Sequence, residues 1–169
     1  MKVFTIGHSN VTFDEFVGRA MAQGIQKIVD VRSAPYSKYT PHFSYDYIER
    51  NLPAKGIEYI YMGDRLGGRP RNDAFRKPDG TPDYDKLSEA DFFVEGLKIL
   101  TEMLGQSKVC LLCAEEDPAN CHRSRLVAKA LAPFGVEVVH ILGDGSLEPD
   151  TETAKRRLTA EDKQLKLFC

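Results

Sequence analysis

Residues 109–125 read VCLLCAEEDPANCHRSR. The apolar run 109–113 is too short for a helix, a polar break holding Pro118 follows, and from Ser124 the apolar residues return at helical spacing in SRLVAKAL. The reading is strand, loop, helix. Cys113, Glu115, Cys121, His122 and Arg123 therefore fall where a strand hands over to a helix.

The same alternation extends to both sides. Upstream, 2–7 (KVFTIG) reads as a buried strand, and Thr12 with Glu15 forms a capping box before Phe13, Phe16, Val17 and Ala20 at helical spacing. Gly24 closes that helix, and 25–31 (IQKIVDV) is a second strand. A helix over 45–55 is expected despite Pro53, then a third strand over 57–62, a long irregular segment over 63–84, a helix over 88–105 and a fourth strand over 108–113. Downstream come a helix over 120–134, ended by Gly135, and a fifth strand over 136–142 (VEVVHIL). Such alternation predicts an α/β fold: a three-layer α/β/α sandwich on a mostly parallel five-stranded sheet, flavodoxin-like, or rhodanese-like if a looser resemblance given below holds. The expected domain runs over 1–145. The charged extension 146–169, with Lys155, Arg156 and Arg157 ahead of Leu158, Leu165, Leu167 and Phe168, is expected to dock on it.

Composition narrows the function classes. A chain of 169 residues with net charge -2 lacks the global basicity of a non-specific nucleic-acid binder, so an anionic partner must be met by local charge. The start, MKVFTIG, shows no basic n-region followed by a long apolar stretch, and no apolar run approaches the ~18 residues of a membrane span, so a cytoplasmic protein with no membrane partner is expected. Cysteines at 110, 113, 121 and 169 suggest local chemistry rather than a disulfide framework in such a compartment.

Open parallel sheets bind ligands beyond the carboxyl ends of their strands. At those ends stand His8; Asp30 and Arg32; Arg65, Arg69 and Arg71; Cys113, Glu115, Cys121, His122 and Arg123; and Asp144. Arg32, Arg69 and Arg123 present donor forks suited to an oxyanion. The run 64–77, DRLGGRPRNDAFRK, joins Gly67 and Gly68 to five basic residues, a pattern for a lid whose backbone approaches an anionic ligand, against the alternative of a solvated surface loop. Cys110, inside a strand, is expected in the core. Cys121, near a helix start beside His122 and Arg123, has the setting that lowers a thiol pKa, and Cys113 is the other candidate nucleophile. His8, His122 and Glu115 are candidate proton carriers, and Asp30 with Glu115 offers a thiol-free acid–base pair. Zinc would find good ligands in Cys113, Cys121 and His122. Seven residues separate the cysteines, however, with no second cluster, and this spacing argues against a metal; no metal and no cofactor are expected. A reversible Cys113–Cys121 disulfide is a further alternative.

TIGHS at the start, DVRSAPYS after the second strand, LGGR in the long loop, and CAEEDPANCHR followed by VVHI resemble the domain of unknown function 488 family across nearly the whole domain. That resemblance implies an α/β domain and carries no established activity. A looser similarity, to the rhodanese and Cdc25-type fold, rests on DVR, the strand into Cys113, Arg123-Ser124 and GVEVVHILGDG. Those proteins hold a cysteine in a tight oxyanion-cradling loop. Here ten positions separate Cys113 from Arg123, and Cys121 lies only two before it, so neither cysteine reproduces the loop.

The expected function is that of a small enzyme, a hydrolase or transferase, with a pocket for a phosphate-bearing or nucleotide-like molecule. Arg32, Gly67, Gly68, Arg69 and Arg123 would bind it, and Cys113, Cys121, His122, Glu115, His8 and Asp30 would supply the chemistry. The alternatives are a non-catalytic nucleotide or nucleic-acid binding module, for which Tyr36, Tyr39, Tyr45 and Tyr47 offer stacking surfaces, and a Cys/His metal or redox site.

Overall fold

The computed structural model describes residues 1–167. Phe168 and Cys169 lie outside the described residues, as do the side chains of Leu165 and Leu167. Five parallel strands, β1 (Lys2–Gly7), β2 (Lys27–Asp30), β3 (Glu58–Tyr61), β4 (Val109–Cys113) and β5 (Glu137–Ile141), stand in the order β3-β2-β4-β1-β5. A sixth, β6 (Leu147–Pro149), adds antiparallel to the outer edge of β5 and corrects the expected count of five. Its three residues carry no apolar alternation. Pairing with β5 makes it a strand, through a turn in which Gly145 takes φ 84°.

Side chains alternate across the sheet and sort the helices into two layers. Phe4, Ile6, Ile28, Cys110 and Leu112 face helices α1 (Phe13–Ala22) and α2 (Tyr45–Asn51), with Phe16, Phe43 and Ile48 fully buried among them. Cys110 is core, as expected. Val3, Val29, Val31 and Leu111 point the other way, against α3 (Gly63–Leu66), α4 (Tyr84–Glu89), α5 (Asp91–Leu104) and α6 (Lys129–Leu131). Truncating any one of these fully buried phenylalanines to alanine should cost about 3–5 kcal/mol.

Local chemistry sets the boundaries. Thr12 and Glu15 form the capping box, with the Thr12 hydroxyl accepting from the Glu15 amide and the Glu15 carboxylate accepting from the Thr12 amide. The helix expected over 45–55 stops at Asn51, because Pro53 brings no N–H, and continues as a tight 3₁₀ turn closed by Gly56 at φ 78°. The helix expected over 88–105 is two: α4, whose start Asp83 caps through the Lys86 amide, and α5, separated by extended Ala90. That break lets Leu87 and Phe93 enter the same core. The segment 63–84, read as irregular, contains α3, a turn at Asp73–Phe75 and a bridge between Arg76 and Pro82.

The last described helix, α7 (Asp150–Leu167), follows β6 directly. Its Arg156 reaches both Asp117 and Glu148, at 2.9 Å each, and its Arg157 donates to the Ser124 hydroxyl at 3.0 Å. The extension thus leans on the loop and helix that follow β4. No described helix is long and apolar enough to cross a membrane.

Chain direction at the strand ends opens a crevice. From β2 the chain passes to the α1–α2 layer, whereas from its neighbours β3 and β4 it passes to the opposite layer. Diverging connections leave a gap above the β2 carboxyl end, the usual ligand position in open α/β sheets.

Candidate functional site

Two adjoining cavities occupy that crevice. The inner one, of about 90 Å³, is lined by Arg32, Ser33, Gly68, Cys113, Glu115 and His122 among others. The outer one, of about 360 Å³, has an aromatic and aliphatic wall of Tyr61, Phe75, Leu87 and Phe92 and a polar rim that includes Arg69 and Arg71. Ser33 and Arg69 line both. The outer volume lies in the range of small-molecule sites, and the inner one has room only for a reacting group.

The floor of the inner cavity is built at the end of β2. Asp30, fully buried, grips Arg32 through two parallel contacts, Nε to Oδ1 at 2.9 Å and Nη2 to Oδ2 at 2.6 Å, and also accepts the Tyr59 hydroxyl at 2.8 Å. The remaining arm, Arg32 Nη1, lies 3.1 Å from His8 Nε2. His8 Nδ1 lies 2.7 Å from the Ser9 carbonyl, which can only accept; Nδ1 therefore carries the proton and Nε2 receives from Arg32. Burial first, and then the Arg32 guanidinium, push His8 down to about 4, so the ring is neutral at ordinary pH. It stacks on Phe43 with centroids 4.3 Å apart. Asp30 and His8, expected as acid–base residues, thus have their polar atoms engaged in holding Arg32.

The second wall follows β4. Cys113 Sγ lies 2.8 Å from Glu115 Oε2 and 3.6 Å from His122 Nδ1, while Cys121 Sγ lies 3.5 Å and 3.7 Å from the same two atoms. A turn at Pro118–Asn120, capped by the Asp117 carboxylate on the Ala119 amide, folds the seven-residue gap back so that the sulfurs meet. His122 Nε2 sits 3.1 Å from the Val31 carbonyl, so Nε2 carries a proton and Nδ1 is left facing the sulfurs. Cys121 is pushed down first by the S–H that Cys113 can donate to it and, against the cost of burial, by the Arg123 guanidinium. Cys113 is pushed up by that same hydrogen bond and by burial.

Arg123 lines neither cavity. Fully buried, it donates from Nε to Cys121 Sγ at 3.2 Å, from Nη1 to the Thr5 hydroxyl at 3.2 Å and from Nη2 to the Glu115 carbonyl at 2.5 Å. Its donors, expected to bind an anion, are all engaged within the protein. Its charge is spent on pinning the 113–121 loop, and a wide π-type turn over Arg123–Ala128 follows it. The loop is also pressed on β1: a Cβ at Gly7 would lie 1.8 Å from the Glu115 carbonyl oxygen.

Gly67 and Gly68 serve close approach, but to the protein itself. A Cβ at Gly68 would sit 2.5 Å from His122 Cβ and Cγ, and one at Gly67 would sit 2.3 Å from Ser33 Oγ. The Arg69 amide donates to Ser33 Oγ at 2.9 Å, which holds this loop over the crevice. The Arg69 side chain is largely exposed and only 3.9 Å from Glu115 Oε1, a loose pair open to competition from a ligand. Arg65, by contrast, pairs with Glu95 at 2.6 Å, and Asp144 caps an exposed turn through Ser146; neither lines the two cavities.

Beside the expected residues, Ser33, Tyr61, Phe75 and Phe92 line the cavities and Tyr59 braces Asp30. Ser33 lies inside the DVRSAP run and was within reach. Phe92 lies at helical spacing within 88–105, a pattern that cannot tell a core face from a cavity wall.

No curated protein and no solved structure matches the chain. A family model does: residues 12–131, which span the strand-end residues from Asp30 to Arg123 and all of both cavity linings, match the domain of unknown function DUF488, and the chain therefore belongs to that family.

Proposed function

We propose that the chain is an enzyme acting on a small anionic, ring-bearing molecule of nucleotide type, by hydrolysis or group transfer. The observation that carries this reading is the shared lining of the two cavities. An apolar, aromatic chamber fit for a ring adjoins, across Ser33 and Arg69, a small polar chamber that ends on Cys113, Glu115 and His122. Arg69 and Arg71 would pair with the anionic group, and Arg32, held rigid by Asp30 and His8, would orient it. Glu115, on the cavity side of the cysteine–histidine cluster, would carry the proton.

Calorimetric titration with nucleoside monophosphates and with inorganic phosphate tests this. Saturable nucleotide binding is expected, weakened about tenfold or more by Arg69→Ala combined with Arg71→Ala, which corresponds to about 1.4 kcal/mol or more. Absence of binding by every probe, or unchanged binding by the double variant, overturns the reading.

A second reading has one observation in its favour. Tyr36, 62% exposed, leads through Tyr45 (ring centroids 6.3 Å apart) to Tyr61 (5.7 Å further), which lines the outer chamber. Exposed Tyr36 offers a face on which one base of a single-stranded nucleic-acid end would stack, Tyr45 and Tyr61 being turned edge to face behind it. An oligonucleotide that binds more tightly than the mononucleotide, with affinity falling steeply as salt rises, would favour it.

A further inference from the structure

Four donor atoms converge below the inner chamber: Cys113 Sγ, Cys121 Sγ, His122 Nδ1 and Glu115 Oε2. The three Cys and His atoms lie within 4.8 Å of one another. Tetrahedral zinc holds sulfur at ~2.3 Å and nitrogen or oxygen at ~2.0–2.1 Å, so neighbouring sulfur and nitrogen ligands should stand about 3.6 Å apart. Cys113 and Cys121 stand 3.6 Å and 3.7 Å from His122 Nδ1. Glu115 Oε2, at 2.8 Å from Cys113 Sγ, is too close to that sulfur to be a fourth corner; it accepts the Cys113 S–H, a proton that metal binding would displace.

The surroundings match what a metal site requires. His122 donates its far nitrogen to the Val31 carbonyl, the contact that fixes the tautomer of a metal-bound imidazole and aims its lone pair inward. Cys121 Sγ receives the Arg123 side chain at 3.2 Å and the Arg123 amide at 3.4 Å, donors that stabilise a thiolate without blocking its remaining lone pairs. Gly68, where any side chain would strike His122, keeps the ring in place. Two sulfurs and an imidazole are the donor set of zinc rather than of magnesium or calcium.

We infer that Cys113, Cys121 and His122 bind one divalent metal ion of the zinc type, with its fourth position open to the inner chamber beside Glu115. Three protein ligands and an open corner form the catalytic pattern, in contrast to a closed structural site. An ion there would activate a bound water, and Glu115, which lines the inner chamber, would be placed to take the proton that water gives up; no electron would change hands. The ion's presence is independent of the ligand proposed above, whereas the use of its open position rests on that reading. This inference replaces the spacing argument against a metal, because the turn at Pro118–Asn120 supplies in space the pairing that the sequence lacks. It also makes the cysteines ligands and not nucleophiles.

Elemental analysis of the untagged protein, purified without chelators, should find about one zinc per chain. Metal-stripped wild-type protein should take up zinc with sub-micromolar affinity in competition with a colorimetric chelator, and cobalt(II) should give thiolate-to-metal charge-transfer absorption together with intense tetrahedral d–d bands. Cys113→Ser should lose the charge-transfer intensity in part and weaken zinc at least about tenfold. Glu115→Gln should retain zinc. The wild-type titration keeps the test valid if a cysteine variant fails to fold. Weak zinc binding, octahedral cobalt spectra, or a Cys113–Cys121 disulfide in freshly purified protein each overturns the inference. Nucleotide binding by the metal-stripped protein would leave the cleft reading intact, and zinc binding without nucleotide binding would sink only that reading.

Discussion

Replacing Asp30 by asparagine tests the reasoning about the floor of the site most sharply. The carboxylate is fully buried and accepts four bonds: Oδ1 from the Arg32 amide at 3.0 Å and Arg32 Nε at 2.9 Å, Oδ2 from Arg32 Nη2 at 2.6 Å and the Tyr59 hydroxyl at 2.8 Å. Asparagine keeps the shape. Whichever way its amide turns, however, an NH₂ group faces two donors, and the guanidinium of Arg32, itself only 5% exposed, loses its counter-charge. Breaking a buried pair on one side costs about 3–5 kcal/mol, most of it the uncompensated charge left behind. Asp30→Asn should therefore lower the unfolding free energy by that amount, read as a lower urea midpoint at an unchanged slope by circular dichroism at neutral pH. Adding Arg32→Met removes the stranded charge, so the double variant should be more stable than the sum of the two single changes requires, by about 1 kcal/mol or more. A loss below about 1 kcal/mol for Asp30→Asn, or strict additivity, would refute the claim that this pair is a buried, interdependent unit.

Two further outcomes follow from the geometry. His8 titrates near 6.5 when unfolded and near 4 when folded among Arg32, Asp30, His42 and Phe43, so as pH falls through that window the unfolded chain takes up the proton and the folded one does not. Stability should drop with falling pH, by about 2 kcal/mol from this group between pH 7.5 and pH 5, and His8→Gln should lack that component; parallel pH profiles for the two proteins would refute it. Gly68→Ala would drive a methyl into His122, so it should cost about 1–3 kcal/mol in thermal or urea unfolding and weaken zinc, whereas the same change at Gly80, whose Cβ would meet open space, should leave zinc binding alone. Equal zinc affinities for both variants would show that Gly68 does not position the ring.

Much of the fold was legible from local pattern. The alternation of short β-branched runs with helical spacing, and the Thr12–Glu15 box, depend on residues within one or two turns of each other, and the corresponding strands and helix form where expected. Errors arose where pairing or packing decides. β6 exists only because β5 offers an edge, and Ala90 splits a helical pattern because Leu87 and Phe93 must reach one core.

The site divides in the same way. By itself the sequence determined which residue types crowd the strand ends, because a parallel sheet turns every strand in one direction and so gathers His8, Asp30, Arg32, Cys113 and His122 along one edge. Only the tertiary structure decided what each does there. Burial turned Arg123 from a ligand-binding arm into a brace for its own loop, and the Asp30–His8 clamp turned two expected proton carriers into supports for Arg32. Cys113 and Cys121 became partners of His122 because distance in space, not spacing along the chain, sets which atoms can share a hydrogen bond or an ion.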